Sequence, residues 1–261
     1  MDGGTLMNQG IHGIDLLLHF KGEVVSNGEA YLNWVKEIMG KYQDLIIETC
    51  SSGGMRMDYK TLSIFPLVST SDQTRYYKYP YIAGNILSAV LPEQAAVWSY
   101  PADSSGKSEQ SFVDDRESIN ASVTHETVVM NMVNSLLGRL HLASHIELLD
   151  DSKKDLIKEG IDYYKRITED KKIGIPYFPL GFTDFSKEEV AAGFIANNKL
   201  FLAVWNLKRK ENSIKLKLDF EIKYVRVGYP QKLFTEFSFE GNVFTVNFDQ
   251  GLQARFFEID F

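Results

Sequence analysis

The chain has 261 residues, 44% of them hydrophobic and 13% aromatic, which is enough apolar material for one large domain or a medium and a small one and excludes a disordered chain. Its net charge of −7, from 35 acidic against 28 basic residues, argues against a nucleic-acid partner, which needs a clustered positive surface. No run approaches the roughly 18 apolar residues of a membrane span, no signal pattern opens the chain, and the single cysteine, Cys50, leaves no internal disulfide and favours a cytoplasmic setting.

Residues 1–28 hold six glycines and read as loop around a short apolar piece, Ile14–Leu18. Glu29–Tyr42 reads as a helix, with Tyr31, Val35, Ile38 and Tyr42 at helical spacing and Gly40 near its end. Leu45-Ile46-Ile47 then reads as a short buried strand that breaks into Glu48-Thr49-Cys50-Ser51-Ser52-Gly53-Gly54. A short helical segment around Tyr59–Ser63 follows, and the pattern repeats as the strand Pro66-Leu67-Val68 followed by Ser69-Thr70-Ser71-Asp72-Gln73-Thr74. Twice, a buried strand ends in a loop of hydrogen-bonding side chains, as at the strand ends of α/β-barrel enzymes.

Thr74–Leu87 is expected to be helical, ended or kinked by Pro80. Ala95–Pro101 reads as a third buried strand, and residues 102–122 as a surface loop. Thr124 is expected to cap a helix with the stripe Val128, Val129, Met132, Val133, Leu136, Leu137 and Leu140. A fourth strand falls in Leu140–Ile146, and Ser152–Asp155 has capping-box character ahead of a helix through Ile167. Strand and helix alternate over residues 28–168, which implies parallel strands.

After about residue 185 the period falls to two. Phe194–Ala196, Leu200–Leu207, Ile214–Leu218, Tyr224–Gly228, Phe237–Phe239, Val243–Phe248 and Ala254–Ile259 read as strands, with hairpin turns at Glu211-Asn212 and Gly241-Asn242. Two packed antiparallel sheets are expected. Lys208-Arg209-Lys210, with Lys215 and Lys217, reads as a solvated basic hairpin that discourages edge pairing.

The residue types leave several readings open. Asp72 is either a functional carboxylate or the N-cap of the next segment. Cys50 is a core thiol or part of a polar loop, Gly53-Gly54 a turn or a place where backbone approaches a ligand, and Arg56 a partner for Asp58. A phosphate loop is a poor match, because no lysine follows the glycines. His141 and His145 are four apart, but no third ligand accompanies them.

Residues 44–101, from Asp-Leu-Ile-Ile-Glu-Thr-Cys-Ser-Ser-Gly-Gly-Met-Arg-Met-Asp through Ser-Thr-Ser-Asp-Gln-Thr to Val-Trp-Ser-Tyr-Pro, resemble the family 36 glycoside hydrolases, the bacterial α-galactosidases. The resemblance extends more loosely to the end of the chain and covers the back half of a family member. It implies a partial (β/α)8 barrel (about strands five to eight) over residues 1–184, followed by a small antiparallel β-sandwich domain over 185–261, in a chain truncated at its N-terminus. It implies a retaining mechanism on terminal α-linked galactose, with Asp72 of the Ser-Asp-x-Thr motif as acid/base. The nucleophile falls on Asp2, with the family's preceding lysine ahead of Met1 and Gly4 where the family commonly has Asn.

Cys50, Ser51, Gly53, Gly54 and Arg56 fall on the loop that closes around the sugar, and Ser69 and Thr70 replace an aromatic often found ahead of the acid/base. The chemistry needs two carboxylates about 5–5.5 Å apart, one to attack the anomeric carbon and one to protonate the leaving oxygen. The acid must keep its proton near neutral pH through burial or a nearby negative charge, which Asp2 would supply. No metal or other cofactor is implied. The partners implied are a galactose-containing oligosaccharide and either a missing N-terminal half or further copies of the chain. The alternatives are a galactose-transferring or N-acetylgalactosamine-accepting relative, and a non-catalytic fragment that binds sugar or assembles.

Overall fold

The computed structural model describes residues 24–50, 53–102 and 116–261. The chain forms two compact units, with the boundary after Asp72.

The first unit contains α1 (Val24–Lys41), β1 (Glu48–Thr49), α2 (Tyr59–Leu62) and β2 (Leu67–Ser69). Leu32 and Val35 on α1 pack with Phe65, flanked by Tyr31, Met39, Ile47 and Ile64. Asp58 caps α2: its carboxylate accepts from the Thr61 amide at 3.0 Å and the Thr61 hydroxyl at 2.6 Å. These bonds hold the carboxyl below its usual range. β1 and β2 pair in parallel, Glu48 opposite Leu67 and Thr49 opposite Val68.

The first strand is shorter than expected and starts later, since Leu45 and Ile46 are 42% and 60% exposed. Extending the β1–β2 register backwards would set Leu45–Ile47 against Ile64–Pro66. The amides of Ile64 and Phe65 already donate to the Thr61 carbonyl, and Pro66 has no N–H to give. The ladder therefore starts only at Glu48.

The second unit begins with turns over Arg75–Tyr79, α3 (Pro80–Ala83) and a 3-10 turn at Ile86–Ser88, in place of one helix over Thr74–Leu87. Pro80 neither ends nor kinks a helix here. It sits at the first helical position, where its missing N–H has no helical acceptor to lose. β3 (Ala95–Ser99) and β4 (Arg139–Leu142) pair in parallel, with Trp98 opposite His141. Between them in sequence lie α4 (Arg116–Ser122), where a loop was expected, and α5 (His125–Leu136). Residues 103–115 of the expected loop lie outside the described residues.

Thr124 caps α5 as expected, its hydroxyl accepting from the Thr127 amide at 3.1 Å. α5 is buried continuously from Thr127 to Leu136, as a helix covered on every side is, rather than along one stripe, and Leu140 of the expected stripe lies on β4. α6 (Asp151–Ile173) lies along it. Its cap is Asp150 rather than Ser152: Asp150 accepts from the Lys153 amide, the Lys153 ammonium and the Ser152 hydroxyl. Bonding to Lys153 and then Ser152 holds this carboxyl well below its usual range.

The remaining strands are antiparallel. A five-stranded sheet runs in the order β5 (Ile175–Tyr177), β6 (Glu189–Ala196), β7 (Lys199–Asn206), β12 (Gln253–Asp260), β9 (Tyr224–Tyr229). A three-stranded sheet has the order β10 (Glu236–Glu240), β11 (Val243–Phe248), β8 (Asn212–Lys217). Leu200, Leu202, Phe257 and Ile259 of the first sheet share one apolar cluster with Ile214, Leu216, Phe244 and Val246 of the second. Glu126 on α5 ties that helix to β12 through paired hydrogen bonds with Arg255, both at 2.7 Å.

Gly241-Asn242 makes the expected two-residue turn between β10 and β11. A second tight turn, Asn197-Asn198, joins β6 to β7, with φ of 52° and 57°. Those angles suit the mirror-image turns that match strand twist. Glu211-Asn212 is not a hairpin turn. β7 and β8 belong to different sheets, and Asn212 is the first residue of β8. Lys208 is not a solvated tip either, because it pairs with Glu189 at 2.6 Å and donates to Asn212 at 3.0 Å. Lys215 and Lys217 are exposed on β8, an edge strand, where charge opposes further pairing.

Candidate functional site

In the first unit, the loops after β1 and β2 meet. The Gly54 amide donates to the Ser69 carbonyl at 2.9 Å. Gly53 and Gly54 have φ of +59° and +75°, a region L side chains rarely adopt. A Cβ on Gly53 would stand 2.4 Å from both the Asp72 nitrogen and the Ser71 Cα, and one on Gly54 would stand 2.9 Å from the Thr70 carbonyl oxygen. Only glycine lets the first loop lie against the backbone that leads to Asp72.

Cys50 is a half-buried free thiol directly after β1. Ser69 and Thr70 are buried, and Asp72 is exposed. Asp72 is not a helix cap, because no helix begins between it and Pro80. Arg56 is half-buried, with its guanidinium 5.3 Å from the Tyr31 ring centroid. Burial pushes its pKa down, and Asp58 partly opposes that shift. Asp58 is engaged mainly with Thr61. Cys50, Gly53, Gly54 and Asp72 therefore gather at the ends of two parallel strands. Asp2 and Ser51 lie outside the described residues.

In the second unit, α5 holds two loop segments by buried amides. Asn131 accepts from the Tyr100 amide just after β3 at 3.1 Å. Asn134 donates to the Tyr76 carbonyl at 2.9 Å and accepts from the Trp205 indole at 2.9 Å. Neither residue is among the candidates that the sequence points to. The signal was present: two asparagines three apart inside an otherwise apolar helix, on the face that should be buried.

His141 and His145 do not share a helix face. His141 lies on β4, edge-on to Trp98 with centroids 5.1 Å apart, and burial followed by Arg139 pushes its pKa down. His145 lies beyond the strand and pairs with Glu147 at 2.7 Å. Among the described residues no group of three or more His, Cys, Asp or Glu is placed to hold a metal ion, and no helix is long and apolar enough to cross a membrane.

No protein-family model and no curated protein sequence matches the chain. Solved structures do. A GH36 α-galactosidase variant from Geobacillus stearothermophilus in complex with 1-deoxygalactonojirimycin superposes with a TM-score of 0.64 at 16% identity over 87% of this chain. A related variant solved with raffinose gives 0.61 at 15% identity, and the α-galactosidase from Lactobacillus brevis gives 0.60 at 14%, each again over 87% of this chain. The chain spans about 30% of the length of each. At these identities the likeness is one of fold. The fold is mixed α/β, with parallel and antiparallel strands, and the expected resemblance to part of a family 36 glycoside hydrolase holds at that level.

Proposed function

We propose that the chain carries the acid/base portion of a retaining α-galactosidase site, which cleaves terminal α-linked galactose from oligosaccharides. The observation that carries this reading is the contact between the two loops, with Gly53-Gly54 seated against Ser69–Asp72. Asp72 protonates the leaving oxygen and then activates water, and Asp2 attacks the anomeric carbon. Cys50, Ser51, Gly53, Gly54 and Arg56 surround the sugar.

Residues 1–184 are read as barrel strands five to eight with their helices, and 185–261 as a β-sandwich domain. Among the described residues, parallel pairing is confined to those before 143 and antiparallel pairing starts at Ile175, which supports a division in this region. The strand ends of a barrel built from eight strands all contribute to its site. A chain matching about 30% of the relatives' length is therefore expected to turn over slowly or not at all when alone.

Turnover of an aryl α-galactoside by the purified chain tests the assignment. Low turnover that Asp72→Asn abolishes agrees with it. Robust turnover that survives Asp72→Asn overturns it.

A further inference from the structure

A cleft of about 620 Å³ opens in the antiparallel part of the second unit, within the range of small-molecule sites. One wall is a cross-strand row: Ser213 stands opposite Asn247, and Asn247 opposite Glu236. Directly opposed residues share a face, with neighbouring strands about 4.8 Å apart. The adjacent positions Ile214 and Val246 point the other way, into the core. The row therefore presents a hydroxyl, an amide and a carboxylate side by side.

Phe234 lines the same cleft and is 86% exposed, so its ring has no part in the core. The lining also includes Gln253 and Arg255, which are 2% and 3% exposed. Arg255 is fixed by Glu126 and by the Thr235 hydroxyl at 2.8 Å, and Gln253 by Glu126 and Asp249. These groups are held in place before any ligand arrives.

Charge narrows the ligand class. Lys208, Lys210 and Arg255 line the cleft together with Glu211, Glu236 and Asp249, so the formal charges cancel. Arg255 and Lys208 are already paired, with Glu126 and Glu189. An anion would compete with those carboxylates. A neutral polyhydroxylated ligand would not, and its sugar rings offer an apolar C–H face to a phenyl ring and vicinal hydroxyls to amides and carboxylates.

We propose that this cleft binds a neutral oligosaccharide, with a sugar ring packed on Phe234 and its hydroxyls on Ser213, Asn247 and Glu236. The proposal does not rest on Asp72. It is tested by following backbone and side-chain amide resonances of the full chain during titration with raffinose, then with inorganic phosphate and with calcium chloride. Raffinose is expected to move the Asn247 side-chain amide and the Thr235 backbone amide. Phe234→Ala should weaken this binding about fivefold, as for the loss of one aromatic packing contact. An exposed Phe234 allows that change without unfolding, and Asn247→Ala gives a second reading of the same site.

Three results would overturn the proposal: no movement of these resonances up to about 50 mM raffinose, a range that excludes all but negligible affinity; affinity unchanged in both variants; or phosphate or calcium moving the same resonances in place of the sugar. The Gly53 and Gly54 amides are read in the same experiment. Silence there with a response at Asn247 counts against the galactosidase reading and not against this one.

Discussion

Gly53 lies so close to Asp72 that the first atom of any side chain at position 53 would stand 2.4 Å from the Asp72 backbone nitrogen. The φ of +59° at Gly53 adds a second penalty for any L side chain. Gly53→Ala is therefore expected to cost about 2–4 kcal/mol, from left-handed backbone strain plus overpacking against a chain that cannot rotate away. Gly40→Ala is the control. That glycine is helical with open space around it, and alanine there should stabilise by about 0.5–1 kcal/mol. Denaturant unfolding of the two variants measures both.

Asn134 joins Trp205 to the backbone at Tyr76. Asn134→Ala leaves a buried indole N–H and a carbonyl without partners, at about 1–3 kcal/mol for each group fully desolvated. Trp205→Phe leaves the Asn134 oxygen in the same position. Because both changes break one bond, the double variant Asn134→Ala/Trp205→Phe should lose less than the sum of the two. Full additivity in thermal or denaturant unfolding would show that the bond contributes nothing.

Lys171 is buried, and its ammonium donates to the carbonyls of Leu136 and Gly138 at 3.0 and 2.6 Å, near the end of α5. Burial nevertheless pushes its pKa down to about 7, with Glu93 opposing. In the unfolded chain the same group holds its proton to about 10.4. Between these values the unfolded state binds more protons, so Lys171 makes stability rise with pH from about 7 upward, by at most about 1.4 kcal/mol per pH unit. Below pH 7 both states are protonated and the slope vanishes. Lys171→Met should remove this slope between about pH 7.5 and 9.5, read as the difference between wild-type and variant unfolding curves at each pH. Parallel curves across that window would contradict it.

The sequence made the type and order of most elements legible, and the reasons for the exceptions are local. Periodicity located α5 and the late strands because burial there is one-sided or complete over many residues, as in Val128–Leu137 and Val243–Phe248. It failed at Leu45–Ile47, where the apolar run is real but the facing Ile64–Pro66 segment has no free donors. It failed at Glu211-Asn212 because a strand that changes sheets uses the same polar residues as one that turns back. The caps were half legible: Thr124 stands alone before its helix, whereas Asp150 and Ser152 compete and the carboxylate wins. The meeting of the Cys50–Gly54 and Ser69–Asp72 loops followed from parallel strands alone. The supporting amides Asn131 and Asn134 did not, because an isolated polar residue in an apolar stripe does not name its partner.

The account depends most on the Gly53-Gly54 loop and Asp72 forming one sugar-sized site. Calorimetric titration of the full chain with 1-deoxygalactonojirimycin, a cationic galactose mimic that a carboxylate should hold, tests this most directly. The account predicts measurable binding that falls about tenfold or more, roughly the 1.5–3 kcal/mol of a charged hydrogen bond, in Asp72→Asn. It also predicts loss of binding in Gly53→Ala. Binding of unchanged strength in both variants, or no binding to the wild-type chain, would contradict it.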